Sequence, residues 1–293
     1  MNAPDGRRAA GDTSDAPPAG SGPGTSAAAP DGHRVARDAS EAPPAGSGPG
    51  TSGTGFLERL RARAPGLCVL VDPERTAVKD AAALAASAEA AGAAAILIGT
   101  SFDGADRTGE AVTAIKRACG LPLLLFPGSA SQLVAGVDAV LLLSLVSGRN
   151  PQYLIEEHVR AVPFFRRHPI PAISTAYILV DGGRITAVES VSQTRPLPGD
   201  KPEIAVAHAV AASLIGMAAV YLDAGSGAAT PVAPAVIRAV RQAVRLPLFV
   251  GGGMRTPAQV CDARIAGADF VVVGSAIEAG GAGAMRELVA ALR

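Results

Sequence analysis

The 293-residue chain has no tryptophan, and aromatic residues make up only 3% of it. Its 26 basic and 26 acidic residues cancel. No bulk positive charge therefore exists to displace counterions from phosphates, and a nucleic-acid partner is not expected. There is no apolar run of about eighteen residues, so a membrane span is not expected either. Met1 to Asp15 hold no apolar stretch of the kind a secretory signal carries. Cysteine is scarce: Cys68, Cys119 and Cys261 are far apart and odd in number. That excludes a disulfide framework and a C-x-x-C metal clip. They read as small buried hydrophobes in a reducing compartment, and a cytoplasmic location is expected.

A more local absence divides the chain. From Met1 to Gly55 there is no Leu, Ile, Phe, Tyr or Trp, and Pro, Gly, Ala and Ser dominate. Such a segment cannot bury enough apolar surface to offset its ordering entropy, so residues 1–54 are expected to be a disordered tail. The tail also repeats itself: Ala-Pro-Pro-Ala-Gly-Ser-Gly-Pro-Gly-Thr-Ser occurs at 16–26 and again at 42–52. Two copies without an apolar face make a duplicated linker, not a solenoid.

The 239 residues from 55 to 293 match the length of one (β/α)₈ barrel. Eight short aliphatic runs recur: 67–71, 95–99, 121–126, 139–143, 172–180, 218–222, 246–250 and 270–273. They are almost continuously apolar, as strands buried on both faces should be. The segments between them are Ala-rich and helical in period, over 80–91, 109–118, 152–167, 201–215, 234–243 and 257–266. Alternating strands and helices imply parallel pairing through right-handed crossovers. The expected fold is an α/β TIM barrel, with a doubly wound open sheet as its rival. Only Pro127 to Asp138 separate the third and fourth strands. A full crossover needs at least about ten to twelve residues, so the third helix should be missing or cut to one turn.

In a barrel the loops after the strands carry the chemistry. Gly251-Gly252-Gly253 follows the seventh run and Gly274-Ser275 the eighth. Glycines let backbone N–H groups approach an anion, and a helix N-terminus behind them adds a favourable dipole. Gly252, Gly253, Gly274 and Ser275 therefore read as a phosphate cradle. The sixth run ends in Asp223-Ala224-Gly225-Ser226-Gly227, a third glycine-rich element with a carboxylate at its root. Asp223 can accept a proton from a substrate hydroxyl or cap its own loop. Asp72, before Pro73, is either a helix cap or a Mg²⁺ ligand. One carboxylate suffices for Mg²⁺ when phosphate oxygens and water complete its shell.

Longer stretches carry a resemblance across the barrel. They include Val71-Asp72-Pro73-Glu74, Ile98-Gly99-Thr100-Ser101, Pro127-Gly128-Ser129, Asn150-Pro151, Thr175-Ala176-Tyr177, Arg195-Pro196 and, most specific, Tyr221-Leu222-Asp223-Ala224-Gly225-Ser226-Gly227. In these the chain resembles the geranylgeranylglyceryl phosphate synthases of archaea and their bacterial heptaprenylglyceryl relatives. The resemblance implies a Mg²⁺-dependent prenyltransferase with a replaced third helix. A prenyl diphosphate would lose diphosphate, and a hydroxyl of a small phosphorylated acceptor would capture the allylic carbon as an ether. It places the metal on Asp72 with Ser101 beside it, and the acceptor on Tyr221, Gly225, Ser226, Gly227, Gly252, Gly253, Gly274 and Ser275. Asp223 and Tyr177 would flank the reacting centre. A homodimer, and transient contact with a membrane surface for the lipid product, are expected on the same ground.

Two positions depart from the family. Leu70 stands where the family has a Lys, on the same strand face as Asp72. Asp223 stands where the family has a glutamate, one methylene longer. Both changes suggest an acceptor other than glycerol 1-phosphate. The Ala-, Gly- and Arg-rich composition resembles that of a high-GC actinobacterial protein, and with it the family's phosphoglycolipid-antibiotic branch. That resemblance implies farnesyl diphosphate and 3-phosphoglycerate as substrates. Glycerol 1-phosphate is the alternative acceptor. Arg149, Arg195, Lys201 and Arg255 are candidate cations for the substrate. Two rival readings are another phosphate-barrel enzyme, such as a sugar-phosphate isomerase or thiamine-phosphate type synthase, and a catalytically silent phosphate-binding barrel. A deep apolar groove beside the cradle separates a prenyl substrate from a sugar phosphate.

Overall fold

The computed structural model describes residues 53–100 and 105–293. The tail through Ser52 and the expected metal neighbour Ser101 lie outside the described residues. The described residues begin at Gly53, just before the boundary expected at 54. Helix α1 spans Thr54–Arg61, and Gly53 N donates to Ala172 O at 3.2 Å.

The eight apolar runs are eight parallel strands in one closed barrel, paired in chain order. They are β1 (Gly66–Val71), β2 (Ala95–Ile98), β3 (Leu123–Leu125), β4 (Ala139–Leu145), β5 (Ala172–Leu179), β6 (Ala219–Asp223), β7 (Leu248–Gly251) and β8 (Phe270–Val273). Closure, not an open sheet, is the outcome, since β1 pairs with both β2 and β8. β3 and β7 each begin two residues later than expected. Leu121 and Leu246 each precede a proline, which has no N–H for the ladder. Pro122 and Pro247 contribute only their carbonyls, to Ile96 N and Val220 N.

The helices are α2 (Val78–Ala91), α3 (Ala105–Ala118), α4 (Glu157–Arg167), α5 (Ala187–Ser192), α6 (Pro202–Leu214), α7 (Pro234–Ala243), α8 (Pro257–Ile265) and α9 (Ser275–Ala290). After β3 there is only a single 3₁₀ turn, Ala130–Gln132, as the short crossover requires. The expected 152–167 helix opens as a π-turn over Gln152–Glu156 before α4. Three helices escaped the periodicity. α1 is short, α5 is shorter, and α9 is interrupted at Gly281, where φ is +60° and ψ −154°.

Period-two alternation sorts each strand into an inner and an outer face. Outward residues such as Val69, Ile96, Val220, Val250 and Val271 pack under the helices. Inward residues build a second cluster that includes Cys68, Leu97, Leu141, Tyr177, Tyr221, Phe249 and Phe270. Leu57 and Leu60 of α1 join that inner cluster, so α1 plugs the end of the barrel where the strands begin. Strand register explains the aromatic packing. Tyr177 pairs with Tyr221, Tyr221 with Phe249, and Phe249 with Phe270, so one slanted row carries four rings. Their centroids stand 5.5, 6.1 and 4.8 Å apart in that order. Phe126, just past β3, stacks on Tyr221 from across the barrel at 4.9 Å.

Candidate functional site at the carboxyl ends of the strands

One cavity opens at the end of the barrel where the strands finish. Its walls bring together Asp72, Tyr177, Tyr221, Asp223, Ser226, Gly227, Gly252, Gly253, Gly274 and Ser275. These are the expected site residues, with two exceptions. Ser101 lies outside the described residues. Gly225 does not line the cavity, because its N–H is turned onto Asp223 Oδ1 at 2.9 Å.

Asp223 is the chemical centre of this wall. As the last residue of β6 it shares the inward face with Tyr221. Tyr177 Oη donates to Asp223 Oδ2, while Gly225 N–H donates to Oδ1. Both bonds favour the ionised carboxylate, but burial outweighs them and holds its pKa above the ordinary carboxylate value. Burial, followed by the charge of Asp223, pushes the Tyr177 and Tyr221 phenols well above theirs. The phenols are therefore neutral hydrogen-bond donors, and Asp223 is the carboxylate of this wall placed to accept a proton.

The β6 and β7 loops meet so closely that one position excludes a side chain. A Cβ on Gly252 would fall onto Asp223 Oδ1 and within 2.6 Å of Gly225 N, and its φ is +80°. Behind this contact, Arg255 donates to the carbonyls of Ala228, Ala229 and Gly253 and ties the two loops together. A Thr256–Gln259 capping box starts α8 directly after the loop. Gly274 precedes α9, whose first turn supplies further backbone N–H groups. Backbone amides and helix starts thus gather on this side of the cavity, an arrangement able to receive an anion. Among the described residues no cluster of three acidic, His or Cys side chains forms a metal cage. Asp72, a single carboxylate on the cavity wall whose Oδ1 accepts from Glu74 N at 3.0 Å, fits Mg²⁺ bound mainly through substrate phosphates.

The cavity continues away from the cradle as an apolar groove. Leu133, Leu142, Leu143, Leu145, Ala161, Val188 and Val191 line it. The short crossover makes this space. With one 3₁₀ turn in place of a third helix, the outward-facing Leu142 is left partly uncovered. β3 pairs with β4 only at Ala139 and Val140, so the rest of β4 has no strand on that side. α4 and the π-turn before it serve the open edge instead: His158 Nε2 contacts Leu143 O at 2.9 Å, and Ser144 Oγ donates to Leu154 O at 3.2 Å. Glu157 accepts from Ala130 N at 2.7 Å and fixes the replacement turn.

Of the candidate cations, only Arg255 reaches the cavity wall. Arg149 donates to Gly148 O, and Arg195 lines a shallow surface cleft with Asp181 and Arg184. The residues that sequence reasoning missed are Arg75, Phe126, His158 and Glu278, all on the wall. Arg75 had a signal, three residues after Asp72 in the same βα loop. Phe126 directly precedes the Pro127-Gly128-Ser129 stretch, in a run that matches the family, whereas His158 and Glu278 had no signal short of the closed fold.

Residues 60–292 match the PcrB family. The chain belongs to that family. A geranylgeranylglyceryl phosphate synthase of Chitinophaga pinensis is 41% identical to it over 223 residues, which span 76% of this chain and 88% of the relative. One from Korarchaeum cryptofilum is 39% identical, spanning 80% of this chain and 98% of its own. Among solved structures, the (S)-3-O-geranylgeranylglyceryl phosphate synthase of Thermoplasma acidophilum, in complex with its substrate sn-glycerol-1-phosphate, superposes with a TM-score of 0.77. Its identity is 30%, over 83% of this chain and 98% of that one. A thiamine phosphate pyrophosphorylase from Pyrococcus furiosus shares the barrel alone, at 16% identity and a TM-score of 0.52 over 80% of this chain and 97% of its own. The PcrB-family protein is thus a barrel of the prenyltransferase class. Among the described residues no helix is long and apolar enough to cross a membrane.

Proposed function

We propose that this PcrB-family protein joins an allylic prenyl diphosphate to a hydroxyl of a three-carbon phosphate as an ether. One observation carries the reading: the glycine cradle and the apolar groove are two ends of a single cavity, with Asp223 and Tyr177 between them. A sugar phosphate has no use for the groove, and a protein that only binds phosphate has no use for a buried carboxylate beside it. In the reaction the allylic C–O bond breaks and diphosphate leaves with the electron pair. The acceptor oxygen bonds to the allylic carbon, and its proton passes to Asp223. Asp72, with Ser101 on the family pattern, would hold Mg²⁺, which when bound would supply charge to neutralise the leaving diphosphate. The cradle and groove hold the two reactants in line, converting an encounter into an intramolecular step.

Glycerol 1-phosphate is the acceptor supported by the relatives, since it is the substrate in the T. acidophilum complex. A second reading rests on Leu70 and Asp223: farnesyl diphosphate and 3-phosphoglycerate, in the biosynthesis of phosphoglycolipid antibiotics of the moenomycin type. Leu70 places an aliphatic chain against Gly274, with no cation at that position of the cradle. Asp223 leaves a methylene of space beside the acceptor. The test is incubation with Mg²⁺, farnesyl or geranylgeranyl diphosphate, and radiolabelled glycerol 1-phosphate or 3-phosphoglycerate. An organic-extractable labelled product is expected, and the preferred acceptor decides between the readings. No product with any pair refutes both. Asp72→Ala should abolish Mg²⁺-supported turnover, and wild-type turnover in that variant removes the metal assignment.

A further inference from the structure

Among the described residues four carboxylates line the cavity, namely Asp72, Glu157, Asp223 and Glu278, against two guanidinium groups, Arg75 and Arg255. Both substrates of the proposed reaction are anions, so the cavity needs a cation free to meet them. Arg255 is less free to do so, because three hydrogen bonds to backbone carbonyls hold its guanidinium in the loops it ties. Arg75 differs. Its backbone is fixed by the β1 loop, with Arg75 N donating to Asp72 O at 3.1 Å, but among the described residues its guanidinium is paired only with Glu278 Oε2, at 3.3 Å. The Arg75 side chain is 57% exposed. Glu278 lies in the first turn of α9, the helix whose start forms one side of the cradle. A carboxylate there favours the helix dipole while the cradle is empty, and repels a phosphate that enters.

We infer that Arg75 is the mobile cation of the cradle: it leaves Glu278 and donates to the acceptor's phosphate when that group docks at the start of α9. Arg75 thereby stands in for the charge missing at Leu70. The inference rests on the proposed reading only in taking the cradle as the acceptor's phosphate site. The rival view is that Arg75–Glu278 is a surface ion pair stapling the β1 loop to α9, which contributes little to stability and nothing to binding.

Calorimetric titration of the full-length protein with glycerol 1-phosphate, 3-phosphoglycerate and inorganic phosphate tests this without any prenyl substrate. Arg75→Gln should weaken each of these roughly tenfold to a hundredfold, the range for losing a charge-assisted hydrogen bond. Arg75→Lys should recover part of the affinity, since it keeps the charge but not the fork. In steady-state assays the acceptor KM should rise by a similar factor, while the KM for prenyl diphosphate changes by less than about twofold. Equal phosphate affinity in wild type and Arg75→Gln overturns the inference. So does an effect confined to the prenyl diphosphate KM, and so does a wild-type protein that binds none of the three phosphates. Arg75-dependent phosphate binding in a protein that makes no ether would sustain the inference and refute the proposed reaction instead.

Discussion

Replacing Gly252 by alanine tests the geometry of the site through a single methyl group. Two costs combine there. An L-residue at φ +80° loses about 1–2 kcal/mol. The added Cβ also meets Asp223 Oδ1, Gly225 N at 2.6 Å and Ala224 N at 2.7 Å, none of which is the free end of a flexible chain. Forcing a methyl into such a contact costs about 1–3 kcal/mol. The sum is roughly 2–5 kcal/mol, or a fall of about 4–20 °C in Tm for a barrel of this size. Relief requires the β7 loop to move away from the β6 loop, and a displacement near 1 Å at a reacting centre costs about 100-fold in rate. Gly216 is the matched control. Its φ is +86°, yet an added Cβ meets nothing within 4 Å. Gly216→Ala should therefore carry only the strain, about 1–2 kcal/mol, and leave turnover within about twofold of wild type. Thermal melts and kcat/KM for both substrates, measured side by side, read the difference. If the two variants match in stability and in rate, the close approach of the loops does not shape the site.

The acid limb of kcat should lie above the ordinary carboxylate range, because Asp223 must be ionised to take a proton and burial raises its pKa. Tyr177→Phe removes a donor to the ionised form and should move that limb to higher pH; an unmoved limb excludes Asp223 as the titrating group. The same shift makes stability fall as pH rises from the unfolded carboxylate value through the raised folded one, a dependence Asp223→Asn should lack in denaturant titrations. Removing residues 1–52 should leave turnover intact, whereas Leu60→Ala in the α1 plug should cost about 2–5 kcal/mol by denaturant midpoint. Leu142→Trp should fill the groove and lower turnover with geranylgeranyl diphosphate more than with farnesyl diphosphate, leaving phosphate binding unchanged by calorimetry; equal effects on both chains would place the prenyl group elsewhere.

Much of this protein follows from local pattern. A strand buried on both faces is written as a continuous aliphatic run, so all eight strands were legible from residues such as 139–143 and 270–273. The short interval from Pro127 to Asp138 sufficed to predict the lost helix, because a crossover has a minimum length. The loop motifs marked residues that come to line one cavity for a similar reason: loops after barrel strands gather at one end, and their glycines are visible locally. Side-chain pairing across the barrel is not local, and only the closed structure decided it. Tyr177 and Asp223 are 46 positions apart, and strand register is what sets their hydrogen bond. The use of Gly225 N–H on Asp223 rather than on substrate, the release of Leu142 to form the groove, and the meeting of Arg75 with Glu278 across 203 positions are of the same kind. Each depends on which strand ends lie side by side once the barrel closes, and closure is a property of all eight strands together.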